Sequence, residues 1–391
     1  MNGYDQKAGI SMNDNNKQLK LAFIGGGNNS AVGYVHFAAS QLDNKFAVVA
    51  GAFSRDPNEN SATAQRWGVS KQHLYNNWEE LVEQEKDHVD AFVILTPTPH
   101  HIKVITKLLR ANLPIICEKA LVTGPTEVAE IEACYDKNKH FLAVTYNYSG
   151  YAMVRELKHL VKQGALGTIQ KIHLEMPQEG FRRPPDIAGR SSMPQAWRLK
   201  DFEVPTICLD LGVHLHHLST YLLEIEPTET IAQFTNHSQY PNLIDDVNML
   251  LNYPNNIRGS MWMSKTAIGH RNGLQIRIYG DKGSARWFQL NPDELELNYN
   301  NGRREILDRA GQCEYANQFR YNRMKPGHPA GFVEAFSNLY SDIHMELSLF
   351  KAGERKNKDY VFGLEQASHG LNLFLAAKLS VISGSWEQIE V

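Results

Sequence analysis

The chain has 391 residues, of which 42% are hydrophobic and 21% are charged, and its formal net charge is −3. A chain of this length and composition can bury a large core, and we expect two or three domains. Mixed charges without a basic cluster argue against a nucleic-acid partner, and four widely spaced cysteines argue against disulfides and structural zinc and for a reducing cytoplasm.

The chain begins with a polar segment. Residues 1–18 are rich in Asn, Asp and Gly and lack the apolar stretch of a signal peptide, so we expect a disordered tail. No run approaches the roughly 18 to 20 consecutive apolar residues of a membrane span. These features predict a cytoplasmic protein that neither crosses nor enters a membrane.

Residues 19–147 alternate short apolar runs with helical patterns. The apolar runs are residues 19–24, 46–53, 89–95, 115–117 and 141–145. The segments between them place apolar residues three and four positions apart, over residues 61–67, 78–85, 101–111 and 126–136. This alternation predicts an α/β Rossmann domain, with a parallel sheet covered by helices on both faces.

A glycine-rich turn follows the first predicted strand. Glycines at this place let the backbone approach a pyrophosphate, and the next helix offers unpaired N–H groups. Five residues rather than two separate Gly27 from Gly33, so the loop is longer than in G-x-G-x-x-G. A purely structural turn is the alternative, but its position favours a dinucleotide site that includes Gly25, Gly27, Asn28 and Asn29.

The second strand ends without the acidic residue that usually binds the ribose hydroxyls of NAD. Phe53 stands there instead and is followed by Ser54 and Arg55. A hydroxyl and a guanidinium suit a 2′-phosphate, which favours NADP slightly over NAD. Arg55 could equally lie over the adenine or in solvent.

The third and fourth strands end in residues that we expect at the cofactor cleft, because ligands bind at the carboxyl edge of an open parallel sheet. Thr96 and Pro97 follow the third strand, and His101 stands at the start of the next helix, where a histidine commonly caps or packs. Glu118 and Lys119 follow the fourth strand. A lysine beside apolar strand residues is costly without a ligand or partner, so Lys119 indicates chemistry; the alternative is a surface lysine.

The pattern changes after Tyr148, and residues 148–391 predict a second, α+β domain. One helix is predicted at residues 151–163, and two more at 332–350 and 364–382. Strand-like runs occur at residues 168–175, 229–236, 247–253, 259–264, 274–279 and 284–287. Runs this close together predict a large and mostly antiparallel sheet.

A carboxylate and two histidines recur along one predicted helix. Asp210, His214 and His217 share one face, and leucines occupy another that would pack into the core. A carboxylate one turn from an imidazole can raise its basicity and orient it. The alternatives are that Asp210 caps the helix and that the histidines form a polar surface or a metal site, although no further ligand cluster is evident.

Together these features resemble the Gfo/Idh/MocA oxidoreductases, a family that includes glucose-fructose oxidoreductase and inositol dehydrogenase. The resemblance covers residue 20 to the end and is carried by Thr96-Pro97, Glu118-Lys119, Asp210-x-x-x-His214, Ala196-Trp197-Arg198, Gly327-His328-Pro329-x-Gly331-Phe332 and the order of the two domains. It implies that Lys119, Asp210 and His214 meet at a nicotinamide. The family's Glu-Lys-Pro reads Glu118-Lys119-Ala120 here, which removes a backbone constraint but no reactive group.

The resemblance implies hydride transfer between NAD or NADP and a hydroxyl-bearing carbon of a sugar, sugar derivative or cyclitol. His214 would be the base, Asp210 would orient it, and Lys119 would bind the substrate oxygen. Candidate substrate contacts are Asn147, Tyr148, Tyr151, Trp197, Arg198, His217 and His328. A redox-neutral glycosidase and a non-catalytic cofactor-binding regulator stay open as alternatives. We expect no metal, and a homodimer or homotetramer.

Overall fold

The first half of the chain builds a parallel sheet from five apolar strands. In the computed structural model, which describes residues 17–184, 194–354 and 360–390, they are β1 (Leu19–Gly25), β2 (Phe46–Ala52), β3 (Ala91–Leu95), β4 (Ile115–Cys117) and β5 (Leu142–Val144). They lie in the order β2-β1-β3-β4-β5, and every pair is parallel. The predicted disordered tail falls on residues 1–16, outside the described residues, and on the first two described positions.

Helices cover both faces of this sheet, as the sequence predicted. They are α1 (Gly33–Gln41), α2 (Pro57–Trp67), α3 (Trp78–Glu85), α4 (His101–Arg110) and α5 (Pro125–Glu132). Successive residues of β1 enter opposite cores: Leu21 and Phe23 join one buried cluster, and Ala22 and Ile24 join the other. The sheet is therefore buried on both sides, and its ligand-binding edge lies at the carboxyl ends of the strands.

The second half forms a nine-stranded sheet behind helix α6 (Ala152–Lys162). Its strands are β6 (Ile169–Pro177), β7 (Glu229–Thr235), β8 (Asp246–Asn252), β9 (Arg258–Ser264), β10 (Gln275–Gly280), β11 (Gly283–Phe288), β12 (Glu294–Tyr299), β13 (Arg304–Asp308) and β14 (Glu387–Gln388). The order is β13-β12-β11-β10-β6-β9-β8-β7-β14. Only the β6–β9 pair is parallel, so the predicted mostly antiparallel sheet is confirmed.

Three more helices complete the described fold: α7 (Val213–Leu223), α8 (Phe332–Lys351) and α9 (Leu364–Ser383). Helix α8 leaves the second half and packs against α1. It places Phe336, Leu339 and Tyr340 in the same buried cluster as Leu21 and Phe23 of β1. The last part of the chain therefore supports the domain that carries the glycine turn. No helix of the described ranges combines the length and the apolarity that crossing a membrane requires.

Candidate active site

A cleft of about 830 Å³ lies between the two halves, at the carboxyl ends of the parallel strands. Most of the residues predicted to contact a cofactor line it, namely Gly25, Gly27, Asn29, Ser54, Arg55, Thr96, Pro97 and Glu118. Asn28 and His101 do not. From the second half come, among others, Gln178, Trp197, Arg198, Asp210 and His214. The cleft is therefore placed where open α/β sheets bind their ligands.

The glycine turn brings the start of α1 against the end of β1. Gly25 and Gly26 have φ angles of 83° and 79°, which side chains rarely adopt. A Cβ built on Gly33 would lie 1.8 Å from the carbonyl oxygen of Gly26. The Ser30 hydroxyl accepts a hydrogen bond from the Gly33 N–H at 3.1 Å. The longer loop thus still ends in a close glycine-to-glycine approach beside a helix N-terminus.

Part of this loop is fixed to α2. The Asn28 N–H donates to the Thr63 hydroxyl at 3.0 Å, and the Asn29 N–H donates to the Glu59 carboxylate at 2.9 Å. Glu59 also lines the cleft, four residues after the exposed Arg55. Glu59 was not predicted as a cofactor contact, because it lies on the first turn of α2 and not at the end of β2, where such an acid usually stands.

His101 joins two loops instead of lining the cleft. It is fully buried, and its Nε2 lies 2.7 Å from the carbonyl oxygen of Thr96. Its Nδ1 lies 3.1 Å from the carbonyl oxygens of Ala120 and Leu121. Burial lowers the pKa of His101, which favours the neutral ring. This histidine therefore connects the loop after β3 to the loop after β4, and it does not line the cleft in which it was predicted to contact a cofactor.

Glu118 belongs to a buried polar chain that reaches α8. Its Oε2 lies 2.9 Å from Nε2 of His36 and 2.5 Å from the Thr145 hydroxyl. Nδ1 of His36 lies 2.8 Å from the Tyr340 hydroxyl. Burial alone would raise the pKa of Glu118, but His36, Lys119 and Thr145 together hold it below its usual value. The sequence reasoning gave no role to His36 or Tyr340.

Lys119 and Asp210 meet across the cleft. The Lys119 ammonium donates to the backbone carbonyl of Asp210 at 2.7 Å and lies 3.4 Å from Oδ1 of its carboxylate. Arg198 lies 2.5 Å from the same Oδ1, and Lys265 lies 2.6 Å from Oδ2. Burial alone would raise the pKa of Asp210, but Lys265, Arg198 and Lys119 outweigh it and hold this pKa well below its usual range. The Lys119–Ala120 peptide bond is cis.

His214 lies beside this cluster but does not bond to Asp210. It is 5% exposed, and its Nδ1 has no hydrogen-bond partner among the described residues. Its ring meets the Tyr148 ring edge-on at a centroid distance of 4.6 Å. Burial first, and then the nearby Lys119, lower the pKa of His214 well below its usual value. The buried imidazole is therefore neutral.

The expectation that Asp210 orients His214 is corrected. Cys208–Gly212 forms a π-helical segment ahead of α7, so the turn is wider than the α-helical turn that the spacing of Asp210 and His214 implied. The Asp210 carboxylate instead forms ion pairs with Arg198, Lys119 and Lys265. Lys265 directly follows β9, and the signal that singled out Lys119, a lysine after a buried strand, could have found it too.

The predicted substrate contacts separate into two groups. Asn147, Tyr148, Trp197 and Arg198 line the cleft. Three others do not line it. Tyr151 packs between Tyr148 and Trp287, and His217 stacks on Tyr146 at a centroid distance of 4.3 Å and contacts Phe362. His328 lies in an exposed loop before α8. Gln178 and Asn272 line the cleft without having been predicted, and Asn272 donates to the Tyr148 hydroxyl at 3.1 Å.

The site and fold match known proteins along most of the chain. Residues 19–146 match a family model described as an oxidoreductase family with an NAD-binding Rossmann fold, and residues 154–286 match the GFO/IDH/MocA C-terminal domain. The uncharacterized oxidoreductase YfiI of Bacillus subtilis is 30% identical over 335 residues, covering 83% of this chain and 84% of YfiI. The chain belongs to the Gfo/Idh/MocA oxidoreductase family.

Two further proteins similar to this chain are informative. The levoglucosan dehydrogenase of Pseudarthrobacter phenanthrenivorans is 23% identical over 346 residues, covering 81% of this chain and 82% of the relative. A crystal structure of an inositol dehydrogenase homolog from Azotobacter vinelandii, complexed with NADH and myo-inositol, superimposes with a TM-score of 0.84 at 26% identity. That comparison covers 95% of this chain and 98% of the other.

The cleft has the features that an NAD-type cofactor needs. The glycine contacts of the turn leave no room for side chains, so a pyrophosphate can approach the backbone. Three buried polar atoms of cleft-lining residues have no partner among the described residues: Thr96 Oγ1, Asn147 Nδ2 and His214 Nδ1. Buried polar groups are normally hydrogen-bonded, so these atoms suit ligand contacts. No group of three or more potential metal ligands occurs within the described part of the chain.

Proposed function

We propose that this oxidoreductase transfers a hydride between C4 of a nicotinamide and a hydroxyl-bearing carbon of a sugar, sugar derivative or cyclitol. The observation that carries this proposal is the meeting of Lys119, Asp210 and the neutral His214 at one place in the cleft. The relatives that act on levoglucosan and bind myo-inositol support a polyhydroxylated substrate.

His214 acts as the base in this proposal. A neutral imidazole can take the proton that leaves the substrate hydroxyl as the carbon is oxidised, and it can return this proton in the reverse reaction. Its buried Nδ1, which has no partner within the described residues, marks the imidazole as having unused hydrogen-bonding capacity. When bound, the nicotinamide supplies the hydride acceptor or donor.

Lys119 binds the substrate oxygen. Its ammonium has three N–H donors, and contacts with the Asp210 carbonyl and carboxylate hold it in place. A remaining donor can stabilise the negative charge that develops on the substrate oxygen. Asp210 thus acts on Lys119, and not on His214 as the helical spacing suggested.

We further propose that the cofactor is NAD and not NADP, which reverses the slight preference from the sequence. The Glu59 carboxylate lines the cleft beside Arg55 and would repel a 2′-phosphate. Titrating the protein with NADH and with NADPH tests this choice. Glu59→Gln should reduce the ratio of NADH affinity to NADPH affinity. The control Glu130→Gln, at an exposed position, should leave this ratio unchanged. Tighter binding of NADPH by the unmodified protein would overturn the cofactor assignment.

The reaction itself is tested by absorbance at 340 nm with NAD⁺ and a panel of sugars, cyclitols and glycosides. Accumulation of reduced cofactor supports the dehydrogenase. Glycoside cleavage without it supports the redox-neutral glycosidase, and cofactor binding without any turnover supports the regulator. The retained Lys119 and His214 favour turnover over regulation.

We also infer a cytoplasmic homo-oligomer. All four cysteines are free, which suits a reducing compartment. Leu250 of β8 and Ile306 of β13 are 53% and 65% exposed; the strand neighbours of Leu250 are buried and those of Ile306 are half-buried. Such apolar side chains favour association through this sheet. Light scattering after size-exclusion chromatography measures the oligomeric state. A monomer at micromolar concentration would contradict the inferred homo-oligomer.

A further inference from the structure

An excess of positive charge surrounds the proposed substrate position. Lys119, Arg198 and Lys265 all contact the single carboxylate of Asp210, and the side chains of both lysines and of Asp210 are less than 15% exposed. The cluster therefore carries three cations and one anion. Buried charges are normally paired, because each one has given up its hydration.

Among the described residues, neighbouring groups do not fully compensate the excess positive charge of this cluster. The other side-chain partner of Lys265 is the neutral amide of Gln178, at 2.7 Å. Glu118 is a further carboxylate near Lys119, but its Oε2 already contacts His36 and Thr145. Even if Glu118 is counted, one positive charge stays uncompensated. Burial lowers the pKa of Lys265; the Asp210 carboxylate raises it, and the nearby Arg198 and Lys119 act against that carboxylate, so the cations oppose one another.

Arg198 is the member of the cluster that is best placed to bind a further anion. Its guanidinium lies over the Trp197 ring at 4.5 Å, and both side chains line the cleft. Asp210 is its one charged partner in the described ranges. A guanidinium has five N–H donors in a planar fork that matches carboxylates and phosphates, so most of these donors are still available.

The cofactor would not supply the missing negative charge. Its pyrophosphate belongs at the glycine turn, where Gly26 and Gly33 leave room for it, and the oxidised nicotinamide ring adds a positive charge at the reacting end. Since the described residues leave one positive charge of the cluster unpaired, we expect its counter-charge to arrive with the substrate.

We propose that the substrate is an acidic polyol, a sugar or cyclitol derivative with a carboxylate or phosphate group, and that Arg198 binds this group. The inference rests on the proposed dehydrogenase function and deepens it. The hydroxyl that is oxidised contacts Lys119 and His214, and the neutral polar groups of Asn147, Gln178 and Asn272 bind the other hydroxyls. The alternative is that the cations serve only the developing oxyanion, in which case neutral polyols suffice.

The test compares matched acidic and neutral ligands with the NADH-bound protein. Isothermal titration calorimetry measures the binding of D-glucuronate against D-glucose, of D-gluconate against sorbitol, and of D-glucose 6-phosphate. The kcat/KM with NAD⁺ is measured for the same compounds. We expect at least one acidic compound to be favoured over its neutral counterpart by about tenfold or more, as charge-assisted hydrogen bonds allow. Whether this compound is a carboxylate or a phosphate identifies the anionic group.

Arg198→Gln tests the assignment to one side chain. It should reduce the ratio of acidic to neutral binding to near one, and the matched control Arg110→Gln, an exposed arginine of α4 outside the cleft, should leave this ratio unchanged. Equal or weaker binding of every acidic compound, or an unchanged ratio in Arg198→Gln, would overturn the proposal. Turnover of neutral polyols without acid preference would leave the dehydrogenase function standing, so the two failures are distinguishable.

Discussion

The ammonium of Lys119 donates a 2.7 Å hydrogen bond to the backbone carbonyl of Asp210 and so joins the end of β4 to the π-helical segment before α7. This contact connects the cofactor-binding half of the chain to the half that carries His214. If the reaction takes place here as proposed, the two halves share one reacting site, and a change on either side of the contact should affect turnover.

Lys119→Met should lower kcat with NAD⁺ and a polyol by about 10²- to 10³-fold, because the substrate oxygen loses its charged donor in the transition state. Binding of NADH, followed by its fluorescence, should change little. Lys107→Met is the control, since Lys107 is exposed on α4. A rate within a fewfold of the unmodified enzyme would remove Lys119 from the mechanism.

His214→Asn should reduce turnover by about 10²- to 10⁴-fold, the contribution of a positioned general base. Because burial lowers the pKa of His214, the base is already deprotonated at pH 6.5, and the acid limb of kcat/KM should lie below that pH. A pH–rate profile from pH 4.5 to 9 locates this limb. An acid limb above pH 7 would contradict the assignment of a buried neutral base.

Stability should also fall as the pH drops below about 6.5, the unperturbed pKa of histidine. Burial lowers the pKa values of His101, His214 and His217, so the unfolded chain takes up protons there before the folded chain does. Thermal unfolding between pH 7.5 and 5.5 measures this loss. His217→Gln should weaken the pH dependence of the melting temperature and leave the acid limb of activity in place, because His217 lies outside the cleft.

The pair of His36 and Glu118 should show strong coupling in urea unfolding. His36→Leu leaves the buried Glu118 carboxylate with the Thr145 hydroxyl but without the imidazole, which costs up to about 3 to 5 kcal/mol. The double variant His36→Leu, Glu118→Gln removes the charge and should be more stable than His36→Leu alone. If the changes in the free energy of unfolding of His36→Leu and Glu118→Gln add up to the change in the double variant, the contact contributes no interaction energy.

Gly33→Ala should weaken NADH binding and reduce the free energy of unfolding by about 1 to 3 kcal/mol, because its Cβ would collide with the Gly26 carbonyl. Gly180→Ala is a matched control, since a Cβ there meets nothing within 4 Å. Normal NADH affinity in Gly33→Ala would mean that the close approach of α1 to the turn is not needed for the cofactor.

The sequence predicted most of the fold, because buried strands and amphipathic helices have clear periods. The helix predicted at residues 78–85 has those bounds in the structure, and each of the six strand-like runs after residue 148 overlaps an observed strand. Strands β12, β13 and β14 were missed, since their charged and polar residues give weak apolar signals. The docking of α8 against α1 was missed because it depends on distant residues.

The site was predicted less completely than the fold, for physical reasons that particular residues illustrate. The strand ends placed Thr96, Glu118 and Lys119 at one edge of the parallel sheet, and all three line the cleft. The spacing of Asp210 and His214 was interpreted as a regular α-helix, and the π-helical segment changes that geometry. The position of Lys265 after a buried strand could have marked it as a candidate, but its contact with Asp210 joins distant parts of the chain and no local pattern encodes it.

The most direct measurement follows the hydrogen on the reacting carbon. A polyol that reduces NAD⁺ in the panel is prepared with deuterium on its carbon atoms, and the reduced nicotinamide is analysed by mass spectrometry. Direct hydride transfer predicts that the reduced cofactor carries deuterium from the substrate. The His214→Asn and Lys119→Met variants should form this deuterated cofactor far more slowly. Reduced cofactor that carries hydrogen from the solvent instead would contradict the proposed reaction.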